Sequence, residues 1–270
     1  MVTAARKASE APPAKSRSTD DDWERFAQTH PYFAVITDER FKGSELAGDD
    51  RETFFASGRQ HIDDVFHVLR SHFGCPERVD VSLDFGCGVG RLLLPLARRS
   101  GLALGVDVSQ TMLQICAANA RQEGLANIEL LAGSDALANL RRDVDLFTSV
   151  IVFQHIPPEV GHQRLRELLS RLKPGGFGYV QLTYANEISH IGGESYNPGV
   201  SFGYYQRIGD QLVKLAKQTV DKPAEMQMNH YNLNEVMVLL LENRISEHFA
   251  RHTNHGGHIG IELFFRKPLQ

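Results

Sequence analysis

The chain has 270 residues, of which 42% are hydrophobic and 23% are charged, and its formal net charge at pH 7 is −4. This is the composition of a globular protein that can bury one sizeable core, and its acidic balance argues against nucleic acid as a partner. No apolar run approaches the length of a membrane span and the first residues lack the apolar region of a signal peptide, so we expect a cytoplasmic protein without a membrane partner.

The N-terminal third divides into a polar tail and a helical segment. Residues 1–19 are rich in Ala, Ser, Pro and basic side chains, which predicts a disordered tail. An acidic run, Asp20-Asp21-Asp22, then has the character of a helix start, and apolar residues recur at helical spacing as far as Gly74. We therefore predict a helical cap over residues 20–74, which either roofs a site or only packs on the main domain at 75–270.

The main domain opens with a glycine-rich turn between a buried strand and an apolar helix, Asp84-Phe85-Gly86-Cys87-Gly88-Val89-Gly90-Arg91. Strand, glycine turn and helix form the start of a nucleotide-binding α/β unit. Glycine lets the backbone approach a ligand where a Cβ atom would collide, and the N–H groups of the helix start favour a negative charge. The dinucleotide fingerprint requires glycine at the position of Arg91, so this pattern differs from it.

A second strand ends at Asp107, seventeen residues past Gly90. An acid at this place can accept hydrogen bonds from both hydroxyls of a ribose. Strands and helices continue to alternate beyond it, which predicts a parallel sheet with right-handed crossovers. The predicted elements are a helix capped by Ser109, a strand over 128–132, a brief helix opening at Asp135, a strand over 144–153, a helix from Pro157-Pro158 and a strand over 177–184.

Residues 185–225 break this alternation with Gly and Pro loops, and the segment 204–217 has the spacing of an amphipathic helix. An insertion of this length in a compact fold is usually a lid or a binding element. After a helix that starts at Asn232, two strands over 245–252 and 258–266 flank a hairpin signal, Asn254-His255-Gly256-Gly257.

These segments resemble the class I S-adenosylmethionine-dependent methyltransferases, of a bacterial small-molecule or sugar-pathway type. The resemblance rests on residues 84–90, 105–109, 133–136 and 172–176, which follow one another in the family's order. It implies a doubly wound, Rossmann-like, seven-stranded sheet with a C-terminal antiparallel hairpin, an N-terminal helical cap and a lid insertion. It also implies S-adenosyl-L-methionine as the cofactor.

The resemblance assigns cofactor contacts to the carboxyl edge of the sheet. The glycine turn suits the carboxylate of the cofactor, and Asp84 suits its ammonium. Asp107 suits the ribose, and Asp135 suits the amino group of the adenine. Asp135 is also a plausible helix cap. The full predicted cofactor-binding set is Asp84, Gly86, Cys87, Gly88, Gly90, Arg91, Asp107, Val108, Asp135, Ala136 and Gln154.

A hydroxyl acceptor needs a base to take its proton, and histidine is the commonest one. His155, just past the fourth strand, is the first candidate, with a structural role in packing as the alternative. Tyr184 and His255 are lesser candidates that could equally shape the substrate pocket. We predict no metal, because His252, His255 and His258 do not have the helical spacing that puts two imidazoles on one face. A metal at these histidines is the lesser alternative.

We therefore predict a methyltransferase that acts on a small-molecule acceptor, through O-methylation of a sugar or natural product. The alternatives are an NAD(P)-linked oxidoreductase and a non-catalytic protein that only binds adenosylmethionine. A homodimer is left open, and no nucleic-acid partner is expected.

Overall fold

A computed structural model of the protein describes residues 19–133, 135–187, 201–208, 211–217 and 225–269. The helices are α1 (Thr19–Thr29), α2 (Pro31–Val35), α3 (Gly48–Phe73), α4 (Leu93–Arg98), α5 (Gln110–Gln122), α6 (Pro158–Arg171) and α7 (Leu233–Glu242), with 3-10 helices at Glu39–Phe41 and Phe153–His155. The strands are β1 (Val79–Phe85), β2 (Ser100–Asp107), β3 (Ile128–Ala132), β4 (Val144–Ser149), β5 (Leu172–Asn186), β6 (Ser201–Ile208), β7 (Gln211–Lys217), β8 (Glu225–Asn229), β9 (His248–His255) and β10 (His258–Arg266).

The main sheet has seven strands in the order β3-β2-β1-β4-β5-β10-β9. Strands β1 to β5 are parallel, and β10 is antiparallel to both of its neighbours. The predicted seven-stranded sheet with a C-terminal antiparallel hairpin is thus confirmed. The strand order reverses between β1 and β4, and ligands bind at the carboxyl ends of the strands beside such a reversal.

Helices cover both faces of this sheet because successive side chains along a strand point to opposite faces. On one face Phe147 packs in the apolar cluster that contains Leu165 of α6 and Leu239 of α7. On the other face the preceding residue, Leu146, packs in the cluster that contains Ile62 and Val65 of α3.

The N-terminal helices form an aromatic layer over α4 and α5. Phe33 and Phe54 are fully buried in a cluster that also includes Val89 from the glycine turn and Met112 of α5. Full burial of a side chain of this size contributes about 2 kcal/mol. Helix α3 ends at Gly74, whose φ of 69° supplies the left-handed conformation typical of a helix terminus.

Two predicted elements after β3 are wrong. Residues 135–139 form turns and not the brief helix expected at Asp135. The strand predicted over 144–153 ends at Ser149, because Ile151 has a φ of 58° and leaves the extended conformation. Its backbone N–H donates to the buried Gln181 side chain at 2.9 Å, which stabilises this uncommon backbone conformation.

The amphipathic helix predicted over 204–217 is also wrong. This segment contributes the antiparallel strands β6 and β7, and β8 pairs in parallel with β6, so that they form a second sheet in the order β7-β6-β8. A short apolar run fits a strand as well as a helix, and here the pairing with β8 decides between them. The rest of the predicted lid, at 188–200, 209–210 and 218–224, lies outside the described residues, as does the predicted tail up to residue 18.

The C-terminal hairpin turns at Gly256 and Gly257, whose φ values of 60° and 92° suit a two-residue hairpin turn. Because His258 pairs with Asn186 at the end of β5, this turn lies at the carboxyl edge of the parallel strands. Among the helices that the structure describes, none combines the length and the apolar character needed to cross a membrane.

Candidate functional site

A cavity of about 680 Å³ lies at the carboxyl ends of β1, β2 and β4. Its volume is within the roughly 300–1,000 Å³ of small-molecule sites. The glycine turn and the segment after β4 form its base, and Trp23 of α1, Val35 of α2 and Gln227 of β8 line it from the N-terminal helices and the second sheet.

The glycine turn needs glycine for two separate reasons. Gly86, Gly88 and Gly90 have φ values of 76°, 51° and 95°, in the region that residues with a Cβ rarely adopt. In addition, a Cβ atom at Gly86 would lie 2.3 Å from a methyl group of Val152, and one at Gly88 would lie 2.9 Å from a methyl group of Val35. The turn is therefore held closely between the segment after β4 and the end of α2, with its backbone facing the cavity.

Asp107 lies at the end of β2 with its carboxylate held in place by the backbone. It accepts hydrogen bonds from the N–H groups of Gly88 at 2.8 Å and Ser109 at 2.9 Å. Burial raises the pKa of Asp107 to about 6, against the effect of these hydrogen bonds. The side chain lines the cavity and can accept further hydrogen bonds from a diol.

Asp84 lies deeper, at the end of β1, and is 3% exposed. Its carboxylate accepts a hydrogen bond from the Thr148 hydroxyl at 2.9 Å. Burial raises the pKa of Asp84 to about 7, so this carboxyl group changes its protonation state near neutral pH. A positively charged ligand group in the cavity would favour the ionised form.

His155 ends the 3-10 helix after β4 and lines the cavity beneath Trp23, with the two ring centroids 4.9 Å apart. Its Nδ1 lies 2.7 Å from the Gln227 carbonyl, which only accepts, so the ring proton is on Nδ1. Its Nε2 is then an acceptor and lies 3.2 Å from the amide nitrogen of Gln154. Burial lowers the pKa of His155 to about 4, so the ring is neutral at pH 7.

The glutamate of α1 connects the N-terminal cap to this edge of the sheet. Glu24 accepts hydrogen bonds from the Ser109 hydroxyl at 2.7 Å and the Thr111 N–H at 3.3 Å, at the start of α5. Burial opposes ionisation of Glu24, but the hydrogen bonds from Thr111 and Ser109 outweigh it and lower its pKa. Helix α1 is thereby held across the cavity.

Many of the predicted site residues meet at this cavity. Its lining includes Asp84, Gly86, Cys87, Gly88, Arg91, Asp107, Val108 and His155, and Gly90 completes the turn. Four further residues line the cavity that the sequence did not predict, because each belongs to an element without a cofactor motif: Trp23, Val35, Arg164 and Gln227.

The other predicted residues lie elsewhere. The Tyr184 hydroxyl lies 3.3 Å from Nδ1 of His252, and His255 is exposed at the end of β9. The Gln154 side chain accepts a hydrogen bond from Thr183 at 3.0 Å. The side chain of Asp135 is 80% exposed, 3.8 Å from Arg164, and Ala136 is buried in the core.

Comparison with known proteins relates part of the chain to a family and its fold to solved structures. Residues 83–176 match the model of a family described as a methyltransferase domain. The crystal structure of magnesium protoporphyrin IX methyltransferase from Synechocystis PCC 6803 with bound SAH is similar in fold, with a TM-score of 0.56, 20% identity, and coverage of 88% of this chain and 97% of that one. The methyltransferase domain that the motifs predicted is thus confirmed over residues 83–176, and the fold is shared with a methyltransferase crystallised with SAH.

Sequence relatives differ in what their names say they methylate. The 23S rRNA (uracil(1939)-C(5))-methyltransferase RlmD of Marinomonas sp. (strain MWYL1) is 31% identical over 127 residues, 45% of this chain and 28% of the relative. The ubiquinone biosynthesis O-methyltransferase of Acinetobacter baylyi is 29% identical over 111 residues, 40% of this chain and 46% of the relative. The matches thus span less than half the length of either relative.

Proposed function

We propose that the protein binds S-adenosylmethionine in this cavity and transfers its methyl group to an oxygen atom of a small-molecule acceptor. The observation that carries the proposal is that the glycine turn, Asp84, Asp107 and a neutral His155 line one space of about 680 Å³. An acid at the end of β1 and another at the end of β2 match the ammonium and the ribose of this cofactor. The glycine turn supplies backbone N–H groups that favour its carboxylate.

The acceptor site is proposed on the side of the cavity beneath α1. Its lining there includes the apolar side chains Trp23, Ile156 and Val160 beside His155. The charged side chains of Asp20 and Arg164 line the same cavity. S-adenosylmethionine supplies a methyl group on a sulfonium, which is a good leaving group. The protein then has to align the acceptor and exclude water, and the cover formed by α1 and α2 serves both purposes.

His155 is proposed to take the proton of the acceptor hydroxyl on Nε2. The Gln227 carbonyl fixes the tautomer that leaves this nitrogen without a proton. The acceptor would replace the Gln154 amide as the partner of Nε2. A cavity of small-molecule size with a largely apolar surface and a net charge of −4 both favour a small acceptor over RNA.

Cofactor binding is tested by calorimetry with adenosylhomocysteine. Asp107→Ala is expected to weaken binding by about 1.5–3 kcal/mol, because a charge-assisted hydrogen bond to the ribose is lost. Asp80→Ala, an exposed acid near the other end of β1, serves as the control and should bind as the wild type does. Tight binding of NADH without binding of adenosylhomocysteine would contradict the proposal and favour an oxidoreductase.

The acceptor class is tested with S-adenosylmethionine that carries a labelled methyl group. The label is expected to move into the small-molecule fraction of a cell extract and not into purified RNA. Retention of the label through alkaline hydrolysis excludes a methyl ester, and mass spectrometry of the labelled product distinguishes a methyl ether from an N-methyl amine. Transfer into RNA alone would overturn the small-molecule assignment while leaving the cofactor assignment intact.

A further inference from the structure

Asn119 is a polar side chain at a core position of α5. It is 4% exposed and lies on the inward face of the helix with Met112 and Cys116. Residues three, four and seven positions apart share one face of a helix, so the pattern alone predicts an apolar residue here. A buried amide is costly unless its hydrogen bonds are satisfied. The partners of Asn119 therefore indicate why an amide occupies this position.

Three hydrogen bonds satisfy the Asn119 side chain, and each reaches a different segment. Its Nδ2 donates to the Val89 carbonyl of the glycine turn at 2.9 Å. Its Oδ1 accepts from Nη1 of Arg51 on α3 at 3.0 Å and from the Tyr32 hydroxyl of α2 at 3.3 Å. Because a carbonyl only accepts and a guanidinium only donates, these partners determine which end of the amide faces the turn.

The peptide group between Val89 and Gly90 is the part of the turn that this contact holds. Val89 lies between Gly88 and Gly90, and glycine on both sides leaves the backbone free to rotate in the absence of other contacts. Asn119 binds the carbonyl of this peptide group, and the Gly90 N–H donates to the Cys87 carbonyl at 2.9 Å. The peptide group therefore cannot turn its carbonyl towards the cavity without breaking two hydrogen bonds.

Arg51 connects this contact to the helical cap. Its Nη1 is bound to Asn119, and its Nη2 is buried without a hydrogen-bond partner in the part of the chain that the structure describes. The guanidinium carbon lies 4.5 Å from the centre of the Phe55 ring, which holds the side chain against α3. A cation at the acceptor end of an amide polarises its donor end, so Arg51 strengthens the hydrogen bond from Asn119 to the turn.

We propose that Asn119 is a positioning residue for the cofactor, which keeps the peptide group between Val89 and Gly90 in its binding conformation and makes this conformation depend on Arg51 of the cap. The inference rests on the proposed function, in which the N–H groups of the glycine turn receive the carboxylate of S-adenosylmethionine. Asn119 lies behind the turn and is not among the residues that line the cavity. It acts on the ligand only through the backbone of the turn.

The test compares two ligands on the full chain by calorimetry. Adenosylhomocysteine carries the amino-acid head that meets the glycine turn, whereas 5′-methylthioadenosine lacks it. Asn119→Asp replaces the donor by a carboxylate oxygen that repels the Val89 carbonyl and still accepts from Arg51. It is expected to weaken adenosylhomocysteine binding by about 10- to 30-fold, as for a lost buried hydrogen bond, and 5′-methylthioadenosine binding by less than about threefold.

Arg51→Met keeps the donor to the turn and removes only the cation behind it. It is expected to weaken adenosylhomocysteine binding by about three- to fivefold and to leave 5′-methylthioadenosine binding as in the wild type.

The matched control is Asn127→Asp. The Asn127 amide also donates to backbone carbonyls, those of Ala97 at 2.8 Å and Ser100 at 3.0 Å, but at the start of β2, which is the end remote from the cavity. This variant should lose thermal stability and bind both ligands as the wild type does.

The alternatives give distinct results. Equal weakening of both ligands in Asn119→Asp would mean that the residue only maintains the fold, and it would overturn the inference. Unchanged adenosylhomocysteine binding in Asn119→Asp, or the same weakening in Asn127→Asp, would also overturn it. If circular dichroism shows that Asn119→Asp does not fold, the comparison of the two ligands in Arg51→Met decides in the same way. Wild-type protein that binds neither ligand would contradict the proposed function itself.

Discussion

Asp84 is poised between its two protonation states, since burial raises its pKa to about 7. A ligand ammonium favours the ionised form, so binding of adenosylhomocysteine should release a proton whenever Asp84 is protonated beforehand. The dissociation constant should therefore rise as the pH falls below 7, by up to about tenfold per pH unit for one titrating group. Asp107, with a pKa of about 6, adds to the pH dependence of the dissociation constant over a lower pH range.

Calorimetry between pH 5.5 and 8, in buffers with different heats of ionisation, measures this proton release directly. Asp84→Asn removes the titrating group and should flatten the dependence between pH 6.5 and 7.5, while the contribution of Asp107 remains. A wild-type affinity that stays constant across this range would show that the ligand ammonium does not meet Asp84.

His155 gives the second prediction for a single residue. If Nε2 takes the acceptor proton, His155→Ala should lower turnover by about 10²–10⁴ and leave adenosylhomocysteine affinity close to that of the wild type. Because the pKa of His155 is lowered to about 4, wild-type turnover at saturating cofactor should stay level from pH 8 to about 5 and fall below that as the ring is protonated.

The control is His67→Ala, an exposed histidine on α3. Turnover is followed by transfer of a labelled methyl group to the acceptor fraction. A variant of His155 that keeps wild-type turnover would leave the histidine with a structural role, in contact with Trp23.

Among the elements, α1 is joined to the start of α5 by the side chain of Glu24, in addition to its apolar packing. Glu24 is 85 residues from Ser109 in sequence and accepts a hydrogen bond from its hydroxyl, so its removal should loosen the helix without disturbing the sheet. We expect Glu24→Ala to speed dissociation of adenosylhomocysteine by about tenfold, because a hydrogen-bonded charge contributes roughly 1.5 kcal/mol.

Trp23, the one tryptophan of the chain, lines the cavity, so its fluorescence in a stopped-flow experiment reports ligand release. Asp21→Asn, an exposed acid in the first turn of the same helix, is the matched control. Equal dissociation rates in the wild type and Glu24→Ala would mean that α1 does not limit ligand exchange.

The sequence predicts those elements whose conformation is determined by residues close together in the chain. The glycine turn is one, because three positive φ values and two close contacts exclude any side chain there. The ends of β1 and β2 follow from it, and with them Asp84 and Asp107. The contact of Glu24 with α5 has no local signal, and neither does the choice of strand over helix at 201–217, which depends on pairing with β8.

On the scale of the whole molecule, the cavity is built from two sources. The parallel sheet supplies the cofactor side through consecutive motifs, whereas the cover comes from α1 and α2, which precede the sheet in the chain, and from β8, which follows β5. Strand β8 is fastened to the segment after β4, since the Gln227 carbonyl accepts from His155 and the Asn229 amide donates to the Gln154 carbonyl at 3.2 Å. The other edge of β8 pairs with β6.

The hairpin of β6 and β7 should therefore affect the acceptor and not the cofactor. Replacing residues 201–217 by a short glycine-serine linker keeps the flanking segments 188–200 and 218–224, so that the chain can still reach β8. The affinity for adenosylhomocysteine is expected to stay within about threefold of the wild type, because the deleted strands are remote from the glycine turn and Asp107. Methyl transfer is expected to fall by at least about tenfold, because β8 loses the strand that pairs with its edge. Calorimetry and labelled-methyl transfer measure the two quantities. Full transfer by the shortened chain, with a change from dimer to monomer in light scattering, would instead identify the hairpin as a subunit interface.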